Sequence, residues 1–222
     1  MIQIAPSILS ADFAVLGEEI RRMERAGADV IHIDVMDGVF VPNLSIGLPV
    51  VKCARPVTKL PFDVHLMIVE PWKYLEAFVK SGADWLTIHL ETTDDAATVA
   101  ASLREIRRLG MKAGLSIKPA TQPEEIFPYL DLVDLVLVMT VEPGFGNQKM
   151  LSDCLNKVEV IRNKAQQSGY SPLLSIDGGV NAATAERARA CGCDVMVAGS
   201  AVFGADDPAA MIRLLRGQNT ER

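Results

Sequence analysis

The chain repeats one pattern, first seen in Ala26-Gly27-Ala28-Asp29-Val30-Ile31-His32-Ile33-Asp34. Near copies are Ser81-Gly82-Ala83-Asp84-Trp85-Leu86-Thr87-Ile88-His89 and Cys191-Gly192-Cys193-Asp194-Val195-Met196-Val197-Ala198. Each copy indicates a helix that stops at glycine, where a left-handed backbone is tolerated, followed by a short turn and an apolar strand. Gly110 precedes a looser fourth copy. The repeats therefore predict a series of strand and helix units.

Eight apolar runs complete the series, at 2–8, 30–35, 62–67, 85–90, 112–117, 135–141, 173–177 and 195–199. They are apolar almost throughout, as parallel strands covered on both faces are. Helical patterns lie between them. The first begins near Asp12, whose side chain is placed to cap that helix. The others lie at 47–54, 71–81, 95–109, 123–130, 151–168, 181–191 and 207–216. Eight such units in 222 residues predict an α/β fold, a (β/α)₈ TIM barrel forming one catalytic domain over 1–222.

An open, doubly wound sheet is the alternative architecture. It is disfavoured because no G-x-G-x-x-G follows the first predicted strand. In a barrel, functional side chains lie at the C-terminal ends of the strands. The residues that could carry chemistry in this sequence fall at those positions.

The composition excludes several classes of function. The net charge is −6 and no run of Lys or Arg stands out, so we expect no nucleic-acid surface. No apolar run reaches the roughly 18 residues that span a bilayer, so we expect no membrane segment. The first residues lack the features of a signal peptide, which predicts a cytoplasmic protein.

Two histidines and two aspartates predict a metal site. His32 and Asp34 are two residues apart on strand 2 and therefore face the same way. His65 ends strand 3 and Asp177 ends strand 7. A single histidine at a strand end is better interpreted as a structural residue whose side chain is hydrogen-bonded beside a loop. Two histidines and two aspartates at corresponding strand ends instead favour a site for one divalent ion. Zinc suits this set, and so do iron, manganese and cobalt.

The two aspartates also form a candidate acid and base pair. Asp34 and Asp177 lie on strands that are three apart around a closed eight-stranded barrel, so they could face each other across its mouth. Two such carboxylates can remove a proton from one face of a substrate and return it to the other, while a metal stabilises the intermediate's negative charge. Asp37, in the loop that follows, is interpreted as a turn residue.

Glycine-rich loops after three consecutive strands predict a phosphate site. They are Pro143-Gly144-Phe145-Gly146-Asn147, Gly178-Gly179 and Ala198-Gly199-Ser200. Glycines let backbone N–H groups approach an anion, and TIM barrels often bind phosphate after strands 7 and 8. Three methionines near strand ends could form an apolar collar that keeps water from an intermediate, although methionine is also a common core residue: Met36, Met67 and Met139.

The sequence resembles the ribulose-phosphate 3-epimerases. The match runs in order from about residue 4 to 215 and is carried by Pro6-Ser7-Ile8-Leu9-Ser10, by His32 to Asn43 (HIDVMDGVFVPN), by Asp63-Val64-His65-Leu66-Met67, by Met139 to Gly146 (MTVEPGFG), by Asp177-Gly178-Gly179 and by Gly199-Ser200-Ala201. The resemblance implies a TIM-barrel isomerase of the pentose phosphate pathway that interconverts D-ribulose 5-phosphate and D-xylulose 5-phosphate.

The resemblance also implies roles for individual residues. A metal, often zinc, would be held by His32, Asp34, His65 and Asp177, with Asp34 and Asp177 as acid and base. Ser7 and His65 would contact the sugar phosphate. The substrate and its phosphate would be surrounded by Gly144, Phe145, Gly146, Asn147, Gly178, Gly179, Gly199 and Ser200. Members of the family commonly form dimers or larger assemblies, so we expect a homo-oligomer.

One loop departs from the family pattern. The family usually has Gly-Phe-Gly-Gly-Gln, whereas this chain has Gly144-Phe145-Gly146-Asn147-Gln148. Asparagine tolerates a left-handed backbone, so the loop could keep its shape. We expect the Asn147 side chain to crowd the phosphate and reduce substrate affinity. His89 is left outside the predicted site, because its position fits a structural polar group equally well.

Three alternative functions remain open at this point. An allulose-6-phosphate 3-epimerase would share this barrel and metal set. Lys118, at the end of strand 5, could form a Schiff base in an aldol transfer, but that would leave His32, His65 and Asp177 without a task. A sugar-phosphate sensor would bind without turnover, a role in which paired carboxylates serve little purpose.

Overall fold

Eight parallel strands form the centre of the molecule. The computed structural model describes residues 1–218, and its strands are β1 (Gln3–Pro6), β2 (Ile31–Met36), β3 (Phe62–Met67), β4 (Trp85–His89), β5 (Lys112–Ile117), β6 (Leu135–Met139), β7 (Leu173–Asp177) and β8 (Val195–Ala198). All lie within two residues of the predicted runs. The last four residues of the predicted 1–222 domain lie outside the described residues.

The strands join into a barrel. Each strand from β2 to β7 pairs in parallel with the strand that follows it, and β8 pairs in parallel with β1. Ser7, directly after β1, makes a parallel bridge with His32 of β2, which brings the two edges of the sheet together. The predicted (β/α)₈ barrel is confirmed.

Helices cover the outside of the barrel and alternate with the strands. They are α1 (Leu16–Arg25), α2 (Leu48–Ala54), α3 (Leu75–Ser81), α4 (Ala96–Arg108), α5 (Leu155–Gln167), α6 (Ala185–Ala190), α7 (Ser200–Phe203) and α8 (Pro208–Arg216). Within residues 1–218, no helix combines the length and apolar character needed to cross a membrane. Asp12 caps as predicted, but it caps the 3₁₀ turn Phe13–Val15 that precedes α1.

Two predicted helices differ from the structure. The helical segment predicted at 123–130 is a 3₁₀ helix, Pro123–Tyr129, with Pro128 inside it. The predicted helix 181–191 is shorter, since α6 begins only at Ala185. Asn181 precedes it, and its side chain accepts a hydrogen bond from the Ala183 N–H, which favours a turn over a helix.

The inside of the barrel is divided into an apolar and a polar half. On the side of β6, β8 and β1 it is filled by a separate apolar cluster that includes Ala5, Leu135, Leu137, Met139, Val195 and Val197. On the side of β2 to β5, buried polar side chains take the corresponding positions: His32, Asp34, Asp63, His65, Thr87, His89 and Ser116. The fold therefore concentrates its buried histidines and carboxylates on three neighbouring strands, β2 to β4.

Gly114 of β5 makes room for this polar half. It pairs with Thr87 in register, and a Cβ at position 114 would lie 2.1 Å from Thr87 Oγ1. We expect Gly114→Ala to lower the free energy of unfolding by about 1–3 kcal/mol, because Thr87 must move in a packed interior. Urea unfolding monitored by tryptophan fluorescence would measure the loss.

Gly17→Ala is the matched control for this substitution. Gly17 lies in α1, and an added Cβ would meet its nearest neighbour at an ordinary 3.6 Å. Alanine is favoured over glycine inside a helix, so this variant should be unchanged or more stable by up to about 1 kcal/mol. Equal losses in both variants would contradict the packing argument.

Candidate active site

Four buried or half-buried side chains meet at the C-terminal end of the barrel. His32, Asp34, His65 and Asp177 each offer one ligand atom, and these atoms all lie within 4.8 Å of one another. His32 Nε2 and His65 Nδ1 both lie 3.2 Å from Asp34 Oδ1, and both lie 4.0 Å from Asp177 Oδ2. The structure thus brings together the residues that the sequence predicts as metal ligands.

These separations fit a metal ion. Ligand atoms about 2.0–2.1 Å from a tetrahedral ion lie roughly 3.3 Å from one another; the four His–Asp pairs here are 3.2–4.0 Å apart, and all the ligand atoms lie within 4.8 Å of one another. Two imidazole nitrogens and two carboxylate oxygens also match the ligand preference of zinc and similar divalent ions. The four residues can therefore hold such an ion, although they do not identify it.

The far side of each histidine has a buried partner. His32 Nδ1 lies 2.8 Å from Asp63 Oδ2, and Asp63 is fully buried. His65 Nε2 lies 2.8 Å from His89 Nε2, and His89 Nδ1 lies 3.1 Å from Glu91 Oε2. Partners of this kind fix the orientation and the tautomer of a metal-binding histidine.

The electrostatic surroundings separate the two aspartates. Burial raises the pKa of Asp34, but the adjacent His32 and His65 lower it further, so the net shift is downward. Burial and the Asp34 carboxylate raise the pKa of Asp177 to about 6. Burial also lowers the pKa of His89 to about 4 despite its contact with Glu91, which leaves the ring neutral at neutral pH. The two carboxylates therefore differ in proton affinity.

A cavity of about 390 Å³ opens above these residues. Asp34 and Asp177 contribute to its lining, as does Ser7, whose hydroxyl donates a hydrogen bond to Asp34 Oδ2 at 2.5 Å. The side chains of the predicted methionine collar all line it and are almost fully buried: Met36, Met67 and Met139. The carboxylates thus face a space with an apolar wall.

The glycine loops form the rim of the same cavity. The residues predicted to surround the substrate all contribute to its lining: Gly144, Phe145, Gly146, Asn147, Gly178, Gly179, Gly199 and Ser200. Gly178 and Gly179 have φ angles of +123° and +65°, and a Cβ on Gly179 would lie 2.4 Å from the Met150 nitrogen. The N–H groups of Gly178, Gly179 and Gly199 donate to no acceptor among the described residues. These groups can therefore donate to an anion.

Asn147 adopts the left-handed conformation that the sequence led us to expect. Its φ angle is +58° and its side chain is exposed on the cavity rim. The loop around it is held by Asn43, which donates to the Gly144 carbonyl at 2.6 Å, and by Gln148, which donates to the Phe145 carbonyl at 2.9 Å. Asparagine therefore preserves the backbone shape that glycine would adopt here.

Four residues discussed from the sequence lie away from the cavity lining, and one of them, His32, is fully buried. His65 is fully buried below it, so the structure gives this residue no exposed face toward a substrate. Lys118, which the Schiff-base alternative requires, places its ammonium 3.9 Å from the centre of the Phe40 ring and is not among the lining residues described. Asp37 is a turn residue, as interpreted, because it accepts hydrogen bonds from two following N–H groups.

Sequence reasoning missed the partners behind the histidines. Asp63 lies in a quoted motif but received no role, and His89 was left outside the site. The spacing of His89 and Glu91 is the same two residues that separate His32 from Asp34. That spacing is the one sequence feature that points to a role for His89. Only the pairing of β3 with β4 shows that His89 contacts His65.

Comparison with known proteins agrees with this site. The profile described as the ribulose-phosphate 3 epimerase family matches residues 3–203. The chain belongs to this family. It is 49% identical over 218 residues to the ribulose-phosphate 3-epimerase of Bacillus subtilis, covering 98% of this chain and 99% of that protein. The Mycobacterium tuberculosis protein of the same name is 50% identical, covering 97% of this chain and 92% of its own length.

Solved structures with the same architecture are more distant in sequence. The 3-keto-L-gulonate-6-phosphate decarboxylase of Vibrio cholerae has a TM-score of 0.72 at 17% identity, covering 98% of this chain and 96% of that one. The 3-hexulose-6-phosphate synthase of Salmonella typhimurium has the same score and identity, covering 98% and 100%. These similarities support the barrel fold alone.

Asp63 offers a first test of the metal site in this epimerase-family chain. Asp63→Asn keeps the size of the side chain but removes the charge that orients His32, so we expect zinc affinity to fall about 10- to 100-fold. Competition with a chromophoric chelator would measure it. Glu159→Gln removes the same charge from an exposed position on α5 and should leave affinity unchanged. Tight zinc binding by Asp63→Asn would contradict the assignment.

Proposed function

We propose that this protein is a metal-dependent 3-epimerase that interconverts D-ribulose 5-phosphate and D-xylulose 5-phosphate. The observation that carries the proposal is the meeting of Asp34 and Asp177 beneath a cavity whose rim is built from glycine loops. Membership of the ribulose-phosphate 3-epimerase family supports the same substrate class. The expectations of a cytoplasmic location and of a homo-oligomer stay predictions.

The proposed cofactor is one divalent ion, with zinc preferred and iron, manganese or cobalt as the other candidates. It would be held by His32, Asp34, His65 and Asp177, whose ligand atoms converge in the buried floor of the cavity. When bound, such an ion supplies Lewis-acid stabilisation of negative charge that develops on the oxygens of a sugar. The buried partners of both histidines keep the ligand nitrogens directed toward this position.

The two aspartates would move the proton. The C3 proton of a ketose lies next to the carbonyl carbon, so its removal by one carboxylate gives an enediolate. Delivery of a proton to the opposite face of C3 by the other carboxylate inverts that carbon and leaves the rest of the sugar unchanged. Asp34 on β2 and Asp177 on β7 come from separated strands, which supports access to both faces.

The remaining lining residues have roles in binding and in excluding water. The free N–H groups of Gly178, Gly179 and Gly199 suit the phosphate group of the substrate. Ser7 donates its hydroxyl hydrogen to Asp34, which would orient that carboxylate beside the sugar. Met36, Met67 and Met139 present apolar surface next to the reacting carbons, so they would limit access of water to the enediolate.

Proton exchange in D₂O tests this function. NMR would follow the C3 proton of D-ribulose 5-phosphate with the zinc-loaded protein, the chelated protein and the protein after zinc return. We expect exchange and xylulose 5-phosphate formation to be lost on chelation and restored by zinc. Asp34→Asn and Asp177→Asn should each lower epimerisation by at least about 10²- to 10⁴-fold, because each removes the base for one face.

The aspartate variants distinguish two carboxylates from one. Each variant should still exchange the C3 proton of only the epimer whose proton faces the remaining aspartate, without inversion, when its zinc content matches the wild type. Absence of exchange in the zinc-loaded wild type would contradict the proposal. Turnover of allulose 6-phosphate alone would support the longer substrate, and binding without exchange would support a sensor.

Asn147 provides a prediction about substrate affinity. Because its side chain lies on the rim beside the glycine loops, Asn147→Gly should lower the KM for ribulose 5-phosphate several-fold and leave kcat unchanged, as expected when only uniform binding changes. Asn147→Ala is the matched control, since it removes the carboxamide but keeps a side chain at φ +58°. A lower KM in both variants would assign the effect to the carboxamide of Asn147. An unchanged KM in Asn147→Gly would contradict the prediction that this side chain reduces substrate affinity.

A further inference from the structure

A continuous row of buried polar groups leads away from the metal ligands. His65 Nε2 is 2.8 Å from His89 Nε2, and His89 Nδ1 is 3.1 Å from Glu91 Oε2. The rings of His65 and His89 are fully buried, with centroids 4.9 Å apart. Two ring nitrogens at this distance form a hydrogen bond only when one of them donates and the other accepts.

The direction of donation follows from the position of His65. Its Nδ1 faces Asp34 and Asp177, so Nδ1 is the nitrogen available to a metal and must carry a lone pair. Nε2 of His65 then carries the hydrogen and donates it to His89 Nε2. His89 must in turn carry its hydrogen on Nδ1, where Glu91 accepts it. A single arrangement of hydrogens satisfies the three residues.

We propose that His89 and Glu91 are positioning residues that hold His65 in its metal-binding tautomer. The proposal rests on the proposed metal site and adds residues to it. It differs from the arrangement at His32, whose Nδ1 contacts a carboxylate directly. At His65 the neutral His89 imidazole stands between the ligand and the Glu91 carboxylate, which keeps the Glu91 charge one ring farther from Asp34 and Asp177.

Glu91 is itself held in place by the loop after β5. Its Oε1 accepts hydrogen bonds from the Lys118 N–H at 2.7 Å and from the Thr121 hydroxyl at 2.5 Å. Lys157 of α5 donates to three carbonyls of the same loop, those of Lys118, Pro119 and Thr121, at 3.2, 2.7 and 2.6 Å. The end of the row is therefore fixed to the outer layer of the barrel.

Phe40 packs against the row. The centre of its ring lies 4.9 Å from that of His89, and the Lys118 ammonium lies 3.9 Å from the centre of the Phe40 ring. Because His89 is fully buried beneath this ring, water has no direct path to replace it as the acceptor for His65. Loss of His89 should leave a buried donor without a partner.

NMR of the histidine nitrogens tests the tautomers directly. The chain has only three histidines, so long-range ¹H–¹⁵N spectra of the zinc-loaded wild type can be assigned from single substitutions. We expect the hydrogen of His65 on Nε2 and that of His89 on Nδ1. A His65 hydrogen on Nδ1, or a His89 hydrogen on Nε2, in the wild-type protein would overturn the proposal.

Variants of His89 test the effect on metal binding. His89→Leu fills similar volume but offers no acceptor, so zinc affinity should fall about 10- to 100-fold. His89→Gln places an amide oxygen near the position of Nε2 and should recover most of that affinity. Ser116→Ala is the matched control, because Ser116 pairs with His89 in register and its buried hydroxyl has no hydrogen-bond partner within residues 1–218.

The outcomes separate this proposal from the proposed function. A wild type that neither binds zinc nor epimerises would remove the metal site itself. A wild type that does both, combined with unchanged zinc affinity in His89→Leu, would overturn only the positioning role. Equal losses in His89→Leu, His89→Gln and Ser116→Ala would indicate a packing effect and would also overturn it.

Discussion

The carboxylates and imidazoles buried in the polar half of the barrel need partners, and this constraint organises the site. Burying an unpaired carboxylate or imidazole is costly, so the ionisable groups on β2 to β4 persist as a connected set. Asp63 accepts from His32, and Thr87 donates to the other Asp63 oxygen at 3.4 Å. His65 is paired through His89 to Glu91. The ring nitrogens of His32 and His65 that these contacts leave free point toward the cavity.

The apolar half of the interior gives this arrangement its direction. The side chains of β6, β8 and β1 form a close-packed cluster that offers no hydrogen bonds, so polar groups of the opposite half turn toward one another and toward the C-terminal end. The loops that follow β6, β7 and β8 can then use glycine without weakening the core. Gly178 and Gly179, whose Cβ atoms would collide with Val141 and Met150, show how closely those loops pack.

The sequence was sufficient for the strands and the four ligands because both depend on local order. A two-residue spacing at a strand end fixes which side chains share a face, as for His32 and Asp34. Contacts between strands depend on register, which composition does not reveal. His89 was therefore left out, although it lies 2.8 Å from His65. The helical segment predicted at 123–130 is present as a 3₁₀ helix rather than an α-helix, and local composition does not distinguish the two.

The two histidines that we propose as metal ligands present different nitrogens, and the reason lies in the residues behind them. His32 directs Nε2 into the site because its Nδ1 is taken by Asp63, whereas His65 directs Nδ1 because its Nε2 is taken by His89. The same residue type on neighbouring strands therefore reaches one point from opposite edges of the ring. The buried groups with no contact to a substrate thus determine which atoms are available to the chemistry.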